Sequence, residues 1–191
     1  MKFVEKLLFR KRHTCPWWLC FTFDNPLRRL LQDPDLILRG LVQPGQTVLD
    51  VGCGMGYFSL PLARLVGQEG TVICVDMQAQ MLEAAKRKAE KAGLDRVILF
   101  QRCTENSLGL TVAVDFALAF WMVHEVADQH KFLSQIRESL KQAGTLLIAE
   151  PKLHVARADF DKTVSTALEE GFVIAGEPGV SMSMAVLLRK S

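Results

Sequence analysis

The chain reads VLDVGCGMGYFS from Val48 to Ser59, and this stretch decides the fold. Its first residues continue the short β-branched and apolar run Thr47–Val51, which is typical of a buried strand in a parallel sheet. Three glycines then alternate with other residues, and glycine permits positive φ and close backbone approach. Residues 57–66 carry apolar side chains at helical spacing. We therefore predict a strand, a tight turn and a helix whose first amide groups point toward whatever lies above the strand.

The spacing of these glycines separates the turn from two other ligand-binding turns. A dinucleotide turn needs Gly or Ala where this chain has Tyr57, and a phosphate loop needs Gly-Lys followed by Ser or Thr. The pattern G-x-G-x-G preceded by Asp instead resembles the first motif of class I S-adenosylmethionine (SAM)-dependent methyltransferases. The motif is matched at Val48, Leu49, Asp50, Val51, Gly52, Gly54 and Gly56.

Strand and helix patterns alternate along the rest of the chain. Repeated βα units predict a parallel sheet with helices on both faces, and a final two-strand return predicts one antiparallel edge strand. The resemblance implies an α/β, Rossmann-like sheet of seven mostly parallel strands, with the cofactor at the carboxyl ends of the central strands. Residues 46–191 form the predicted SAM-binding methyltransferase domain, and residues 1–45 form a helical and aromatic extension that acts as its lid. The predicted strands are 47–51, 71–76, 97–101, 114–119, 144–149, 172–175 and 181–189, and the predicted helices are 26–39, 57–66, 78–92, 129–141 and 156–170.

Length and composition indicate one cytoplasmic domain. A chain of 191 residues is large enough to bury a core without disulfides, and five cysteines, an odd number, argue against a secreted disulfide framework. Neither a long apolar run nor a signal peptide is found in the sequence. Residues 1–40 contain eight Lys or Arg against four Asp or Glu, an excess too small and scattered to favour nucleic acid as a partner.

The first 23 residues leave two questions open. Residues 1–13 predict a basic amphipathic helix that either covers the edge of the domain, which we favour, or contacts an anionic membrane surface. His13, Cys15 and Cys20 are chemically suited to zinc, but a single Cys-x4-Cys pair is a weak match. We therefore predict no metal and interpret this aromatic segment as an apolar lid over the cleft.

Cofactor contacts are predicted after each of the first four strands. Asp76 follows the glycine turn by about 20 residues, at the end of the second strand, where a carboxylate accepts hydrogen bonds from both ribose hydroxyls. The resemblance implies an acidic adenine contact after the third strand, but that position is Cys103, and a thiol is a poor acceptor. Two residues are the substitutes, Thr104, through its backbone amide or side chain, and Glu105. The predicted cofactor-binding set is Asp50, Gly52, Cys53, Gly54, Gly56, Asp76, Met77, Cys103, Thr104 and Phe120.

Methyl transfer from a sulfonium needs alignment of donor and acceptor more than it needs reactive side chains. Where the acceptor must lose a proton, His124 after the fourth strand, with Glu150 and His154 after the fifth, are the catalytic candidates. A purely structural His124 is the alternative that we favour slightly. The hypothesis is methyl transfer from SAM, leaving S-adenosylhomocysteine, to a small apolar, aromatic or lipid-like molecule. The alternatives are methylation of RNA or protein, and a SAM-binding regulatory or assembly protein without turnover.

Overall fold

The computed structural model describes residues 26–191. The predicted amphipathic helix of residues 1–13, the aromatic segment after it and the question of a metal at His13, Cys15 and Cys20 therefore lie outside the described residues.

Seven strands of the described chain form a single sheet. They are β1 (Thr47–Val51), β2 (Thr71–Asp76), β3 (Ile98–Arg102), β4 (Val114–Phe120), β5 (Leu140–Pro151), β6 (Phe172–Gly176) and β7 (Ser183–Lys190). Their order across the sheet is β3-β2-β1-β4-β5-β7-β6. β1 to β5 pair in parallel, whereas β7 runs antiparallel to both β5 and β6. The predicted seven-stranded, mostly parallel sheet is confirmed, and its reversed strand lies one place inside the edge.

Six α-helices and one 3₁₀ helix of residues 26–191 surround the sheet. They are α1 (Pro26–Leu31), α2 (Pro34–Ile37), α3 (Ser59–Val66), α4 (Ala79–Ala92), the 3₁₀ helix Val123–Glu125, α5 (Gln129–Ser139) and α6 (Arg157–Glu169). Two apolar clusters lie on opposite faces of the sheet because successive strand residues point to opposite sides. Val48 belongs to one cluster, and Leu49 belongs to the other. Within residues 26–191, none of the helices has the length and apolar character needed to cross a bilayer.

The single helix predicted for residues 26–39 is wrong, because the chain forms two short helices there. Proline lacks an N–H group and disfavours helical geometry in the residue before it, so α1 ends before Pro34. Asp33 then caps α2, its side chain accepting a hydrogen bond from the N–H of Asp35 at 3.0 Å.

Strand order places a crevice beside β1. β2 lies on one side of β1 and β4 on the other, so the connections after β1 and β4 lead to opposite parts of the sheet. Open α/β sheets bind ligands at this reversal, outside the carboxyl ends of the strands. The glycine turn after β1 and the segment after β4 both lie there.

Candidate cofactor and active site

The glycine turn after β1 leaves one position open to a ligand. Gly52, Gly54 and Gly56 have φ values of +66°, +53° and +81°. A Cβ atom on Gly52 would come within 2.9 Å of Met122 Cγ, and one on Gly56 within 3.0 Å of Leu60 Cδ1. A Cβ atom on Gly54 would meet nothing within 4 Å. The outer glycines are thus required by packing, whereas the middle one faces a space that fits a closely approaching cofactor.

Asp76 connects the turn to the end of β2. Its Oδ2 atom accepts a hydrogen bond from the N–H of Gly54 at 3.0 Å, and Oδ1 accepts one from the N–H of Gln78 at 2.8 Å. Burial raises the pKa of Asp76, against the lowering effect of these backbone donors. Met77 follows it with 39% of its surface exposed, at the place predicted for the wall of the adenine site. A carboxylate oxygen can accept more than one hydrogen bond, as a ribose contact requires.

Asp50 lies beneath the turn and not in the open crevice. Only 2% of its surface is exposed, and Ser59 Oγ donates to its Oδ2 atom at 2.6 Å. Burial raises the pKa of Asp50 to about 7; the hydrogen bond from Ser59 opposes this rise, and the charge of Asp76 adds to it. The geometry favours a structural role, in which Asp50 ties β1 to the first turn of α3.

Cys53 is also buried within the turn. Hydrogen bonding with Cys74 and burial raise the pKa of the Cys53 thiol well above its ordinary value. A thiol that stays protonated behaves as a small apolar side chain, so Cys53 contributes packing and its backbone to the turn.

The predicted adenine end is formed by the residues after β3. The N–H of Cys103 donates to the carbonyl of Asp76 at 3.1 Å, which fixes this segment beside the ribose position. Burial, followed by the nearby charge of Asp76, raises the pKa of Cys103 to about 11, so its side chain is a neutral thiol. The N–H of Thr104 donates to the carbonyl of Ser107 at 3.0 Å. That amide already has an acceptor within its own loop, and its predicted adenine contact stays a prediction.

Aromatic side chains form the wall at the end of β4. The ring of Phe120 lies 4.3 Å from that of Phe58 and 5.6 Å from that of Trp121, between centroids. Trp121 has a φ of 59°, unusual for a bulky residue. Its N–H donates to the carbonyl of Ala149 at 2.7 Å, and its indole Nε1 donates to Ser183 Oγ at 2.9 Å. These bonds hold Trp121 in a conformation that turns the chain toward the 3₁₀ helix.

The three catalytic candidates are brought together by the ends of β4 and β5. His124 is the second residue of the 3₁₀ helix, and its backbone N–H donates to Glu150 Oε1 at 3.1 Å. Its Nδ1 atom lies 2.5 Å from Glu150 Oε2, and the ring of His154 lies 5.0 Å away between centroids. Glu150 is 1% exposed. Burial works against a charged imidazole, but the hydrogen bond and charge of Glu150, with Glu125, outweigh it and raise the pKa of His124.

This group of three side chains lies beside the glycine turn. Met122, two residues before His124, fills the space against Gly52. A histidine whose Nδ1 atom is held by a buried carboxylate has its Nε2 atom fixed in direction and can take up a proton there.

Sequence reasoning missed two residues near the site, Arg28 on α1 and Gln32 directly after that helix. The guanidinium of Arg28 lies 4.1 Å above the ring of Tyr57 and 5.1 Å from that of Trp121. Gln32 is 2% exposed and joins α1 to the start of β7. Their spacing of four residues is the only feature of the sequence that links them, and nothing in the sequence distinguishes Arg28 from Arg29.

Known proteins resemble the chain across this sheet and site. A sequence profile for a methyltransferase domain matches residues 43–175, more than half of the chain. The ubiquinone/menaquinone biosynthesis C-methyltransferase UbiE of Haemophilus ducreyi is 31% identical over 110 residues, which are 57% of this chain and 42% of that protein. The 23S rRNA (uracil(1939)-C(5))-methyltransferase RlmD of Acinetobacter baumannii is 41% identical over 61 residues, 32% of this chain and 13% of that protein. The chain thus spans less than half the length of these curated relatives.

A solved structure extends the resemblance to nearly the whole chain. The SAM-dependent methyltransferase of Aquifex aeolicus superposes with a TM-score of 0.85 at 25% sequence identity, and the match covers 93% of this chain and all of that one. The glycine turn and Asp76 lie within residues 43–175, which the profile matches. The chain therefore belongs to the methyltransferase-domain family of SAM-dependent methyltransferases, whose cofactor is S-adenosylmethionine.

Proposed function

We propose that this protein transfers the methyl group of SAM to a small-molecule acceptor, with His124 as the general base. One observation carries the proposal. The His124–Glu150 pair lies beside the cofactor turn, because Met122 packs directly against Gly52. Methyl transfer to an acceptor that loses a proton needs a bound methyl donor and a base close to it. The glycine turn and His124 lie in one crevice and can supply both.

The residues of the crevice fit the cofactor along its length. Asp76 offers acceptors for ribose hydroxyls, the open side of Gly54 admits the methionyl part, and the partly exposed Met77 offers an apolar surface to the adenine. When bound, the cofactor supplies an electrophilic methyl group on a sulfonium.

His124 provides the proton transfer. Glu150 holds the Nδ1 side of the imidazole, so the Nε2 side is the proton acceptor, and the carboxylate stabilises the imidazolium that forms. His154 lies next to this ring and forms the adjoining wall of the acceptor site. A hydroxyl, amine or acidic carbon has a proton to lose when it is methylated, and His124 removes it.

A small acceptor is favoured over RNA by the extent of the similarities. The quinone-pathway relative matches more than half of this chain, whereas the rRNA methyltransferase matches less than a third. The end of β4 reads Ala119-Phe120-Trp121-Met122 and lacks the Asn-Pro-Pro-Tyr/Phe pattern of many nucleic-acid and protein methyltransferases. An apolar or aromatic acceptor also suits the rings of Phe120 and Trp121 beside the turn.

The test is incubation with methyl-labelled SAM and a cell extract, followed by separation of small molecules, RNA and protein. We expect label in a small-molecule fraction. Label in RNA or protein would instead favour those acceptors, and label in no fraction despite cofactor binding would favour a SAM-binding protein without turnover.

A second arm tests the role of His124. His124→Gln should lower kcat by about 10²- to 10⁴-fold while S-adenosylhomocysteine still binds. The matched control is His130→Gln, because His130 is exposed on α5 and pairs with Glu169 and Glu170 at the end of α6. A His124→Gln enzyme of normal kcat would leave His124 with its structural role.

A further inference from the structure

The 3₁₀ helix that carries His124 is a single turn, Val123–Glu125. Helices of this type are short, and their hydrogen-bond geometry is poorer than that of α-helices. The bond that closes the turn, from the N–H of Val126 to the carbonyl of Val123, is 3.0 Å long. Contacts with neighbouring elements therefore contribute to holding His124 in one place.

Gln129, the first residue of α5, makes one of these contacts. Its side-chain Nε2 donates to the carbonyl of Val123 at 3.1 Å. A carbonyl oxygen has two lone pairs, so Val123 accepts this bond together with the one from Val126. The residue directly before His124 is thereby tied to α5.

Thr163 on α6 sets the orientation of the Gln129 amide. Its Oγ1 atom donates to Gln129 Oε1 at 3.0 Å, and Thr163 is buried. The carbonyl of Asp159 lies 3.2 Å from the same hydroxyl, which divides its one proton between the two acceptors. Gln129 has to accept from Thr163 and donate to Val123, and a glutamine amide offers both groups, whereas an ionised glutamate offers acceptors only.

Glu150 holds the next residue of the same turn. It accepts from the backbone N–H of His124 and contacts the Nδ1 atom of the ring. A displacement of Val123 would move both of these atoms relative to the buried carboxylate. The bonds of Gln129 and Glu150 act on consecutive residues, so the direction of the His124 ring depends on both.

We propose that Gln129 is a positioning residue for His124, which fixes the carbonyl of Val123 so that the imidazole stays against Glu150. This inference rests on His124 being the general base of the proposed function. Gln129 acts through His124, because its own amide is used by Val123 and Thr163.

The first test is an NMR titration of the His124 ring in Gln129→Met, a variant that keeps the length of the side chain and removes its amide. The His124 resonance should titrate at lower pH than in the unaltered protein. A displaced ring loses part of the hydrogen bond and charge of Glu150 that raise its pKa. Glu125 and His154, which also lie near this ring, are unchanged in the variant.

The second test measures the rate at which saturating methyl-labelled SAM labels the small-molecule fraction of a cell extract. Gln129→Met should lower this rate about 3- to 10-fold, the effect of one lost hydrogen bond. In a His124→Gln background the same substitution should change the rate less than about twofold, because residues that act as a unit are not additive. A purely structural Gln129 would give equal losses in both backgrounds.

Gln135→Met is the matched control. Gln135 lies on the same helix, and its side chain accepts from the N–H of Leu108, in the segment between β3 and β4, at 2.9 Å. This variant should leave the His124 titration and the rate of labelling unchanged.

Thr163→Val is the second variant, and it replaces Gln129→Met if that protein does not fold. It removes the hydroxyl that orients the amide and should cause a smaller change in the same direction. An unmoved His124 titration, or equal losses of rate with and without His124, would overturn the role of Gln129. If His124→Gln itself keeps the full rate, the general base fails instead, and the titration alone decides whether Gln129 holds the ring.

Discussion

His124 is held at two atoms by one carboxylate, and this arrangement has a definite pH dependence. A general base must be neutral, so kcat should rise with pH through the raised pKa of His124. In Glu150→Gln the negative charge that raises this pKa is lost, while burial, which lowers it, remains. The pH at which kcat rises should therefore be lower in this variant. The plateau of kcat at high pH should also fall, because the imidazolium is no longer stabilised. The pH profile of kcat measures both effects.

A titration of the His124 ring by NMR checks the same prediction without turnover. The His124 resonance should titrate at lower pH in Glu150→Gln than in the unaltered protein. If the pH dependence of kcat moves in Glu150→Gln but the NMR titration of His124 does not, the pKa seen in kcat belongs to another group.

The raised pKa of Asp50 leads to a second prediction, that the free energy of unfolding depends on pH. Its pKa rises from 3.8 to about 7 on folding, chiefly because it is buried. The folded protein therefore favours the protonated form of Asp50. The stability that Asp50 contributes is fully present below its unfolded-state pKa of 3.8 and is lost as the pH rises to about 7. Asp50→Asn, whose amide oxygen still accepts from Ser59, should remove this loss, worth up to about 4 kcal/mol.

Urea unfolding across about pH 4 to 8 measures the Asp50 effect as a difference between the two proteins. The free energy of unfolding of the unaltered protein should fall relative to that of Asp50→Asn as pH rises. Parallel pH curves for the two proteins would contradict a buried, shifted Asp50.

At the scale of the element, the glycine turn separates packing from ligand access. Gly52→Ala should cost about 1–3 kcal/mol of stability, because its Cβ meets Met122 and its φ is positive. Gly54→Ala should cost only about 1 kcal/mol, since its Cβ meets no protein atom, yet S-adenosylhomocysteine should bind at least about 10-fold more weakly. Urea unfolding and calorimetry measure the two effects.

Gly93→Ala is the control for the turn. Gly93 has a φ of +68°, an added Cβ there meets nothing within 4 Å, and it ends α4 away from the turn. Its variant should lose about as much stability as Gly54→Ala and keep its cofactor affinity. Equal losses of affinity in the two variants would show that the effect of Gly54→Ala comes from backbone strain alone.

Elements whose structure depends on local sequence were predictable, and those that depend on distant contacts were not. β1, the turn and Asp76 follow from an apolar run, glycine spacing and strand length, and the structure reproduces them. The docking of α1 uses a hydrogen bond from Gln32 to Ser181, 149 positions later, so no local pattern shows it. β5 begins at Leu140, four residues before its predicted start, because pairing with Val114 extends it beyond its apolar run.

For the whole molecule, the sheet topology places the predicted ligand contacts at one edge. Parallel strands end on the same side, so residues after β1, β2, β3, β4 and β5 meet although the sequence separates them. The alternation of strands and helices in the sequence therefore predicted which residues end up at this edge of the sheet. It could not predict their hydrogen bonds, such as the His124–Glu150 contact, because those depend on how the loops pack against each other.

This one-sided arrangement predicts how a ligand stabilises the molecule. S-adenosylhomocysteine at about 100 times its Kd should add about 2.7 kcal/mol and raise Tm by about 5–10 °C. Asp76→Asn should lose most of this rise, because an amide cannot accept from Gly54 and from ribose at every oxygen position that the carboxylate offers. Thermal unfolding with and without the ligand measures the change.

The control residue for Asp76 is Asp115, at the opposite edge of the same sheet. Asp115 accepts from the N–H of Thr47 at 2.9 Å and from Lys141 at 2.8 Å, near the amino ends of β1 and β4. Asp115→Asn should unfold at a lower Tm without ligand and still show the full rise with it, because it disturbs only the fold. Hydrogen exchange should show the same division, with protection on binding at the glycine turn and none near Asp115. A smaller ligand-induced rise in Asp115→Asn, or protection spread over both edges, would mean that binding tightens the whole sheet and is not confined to its carboxyl edge.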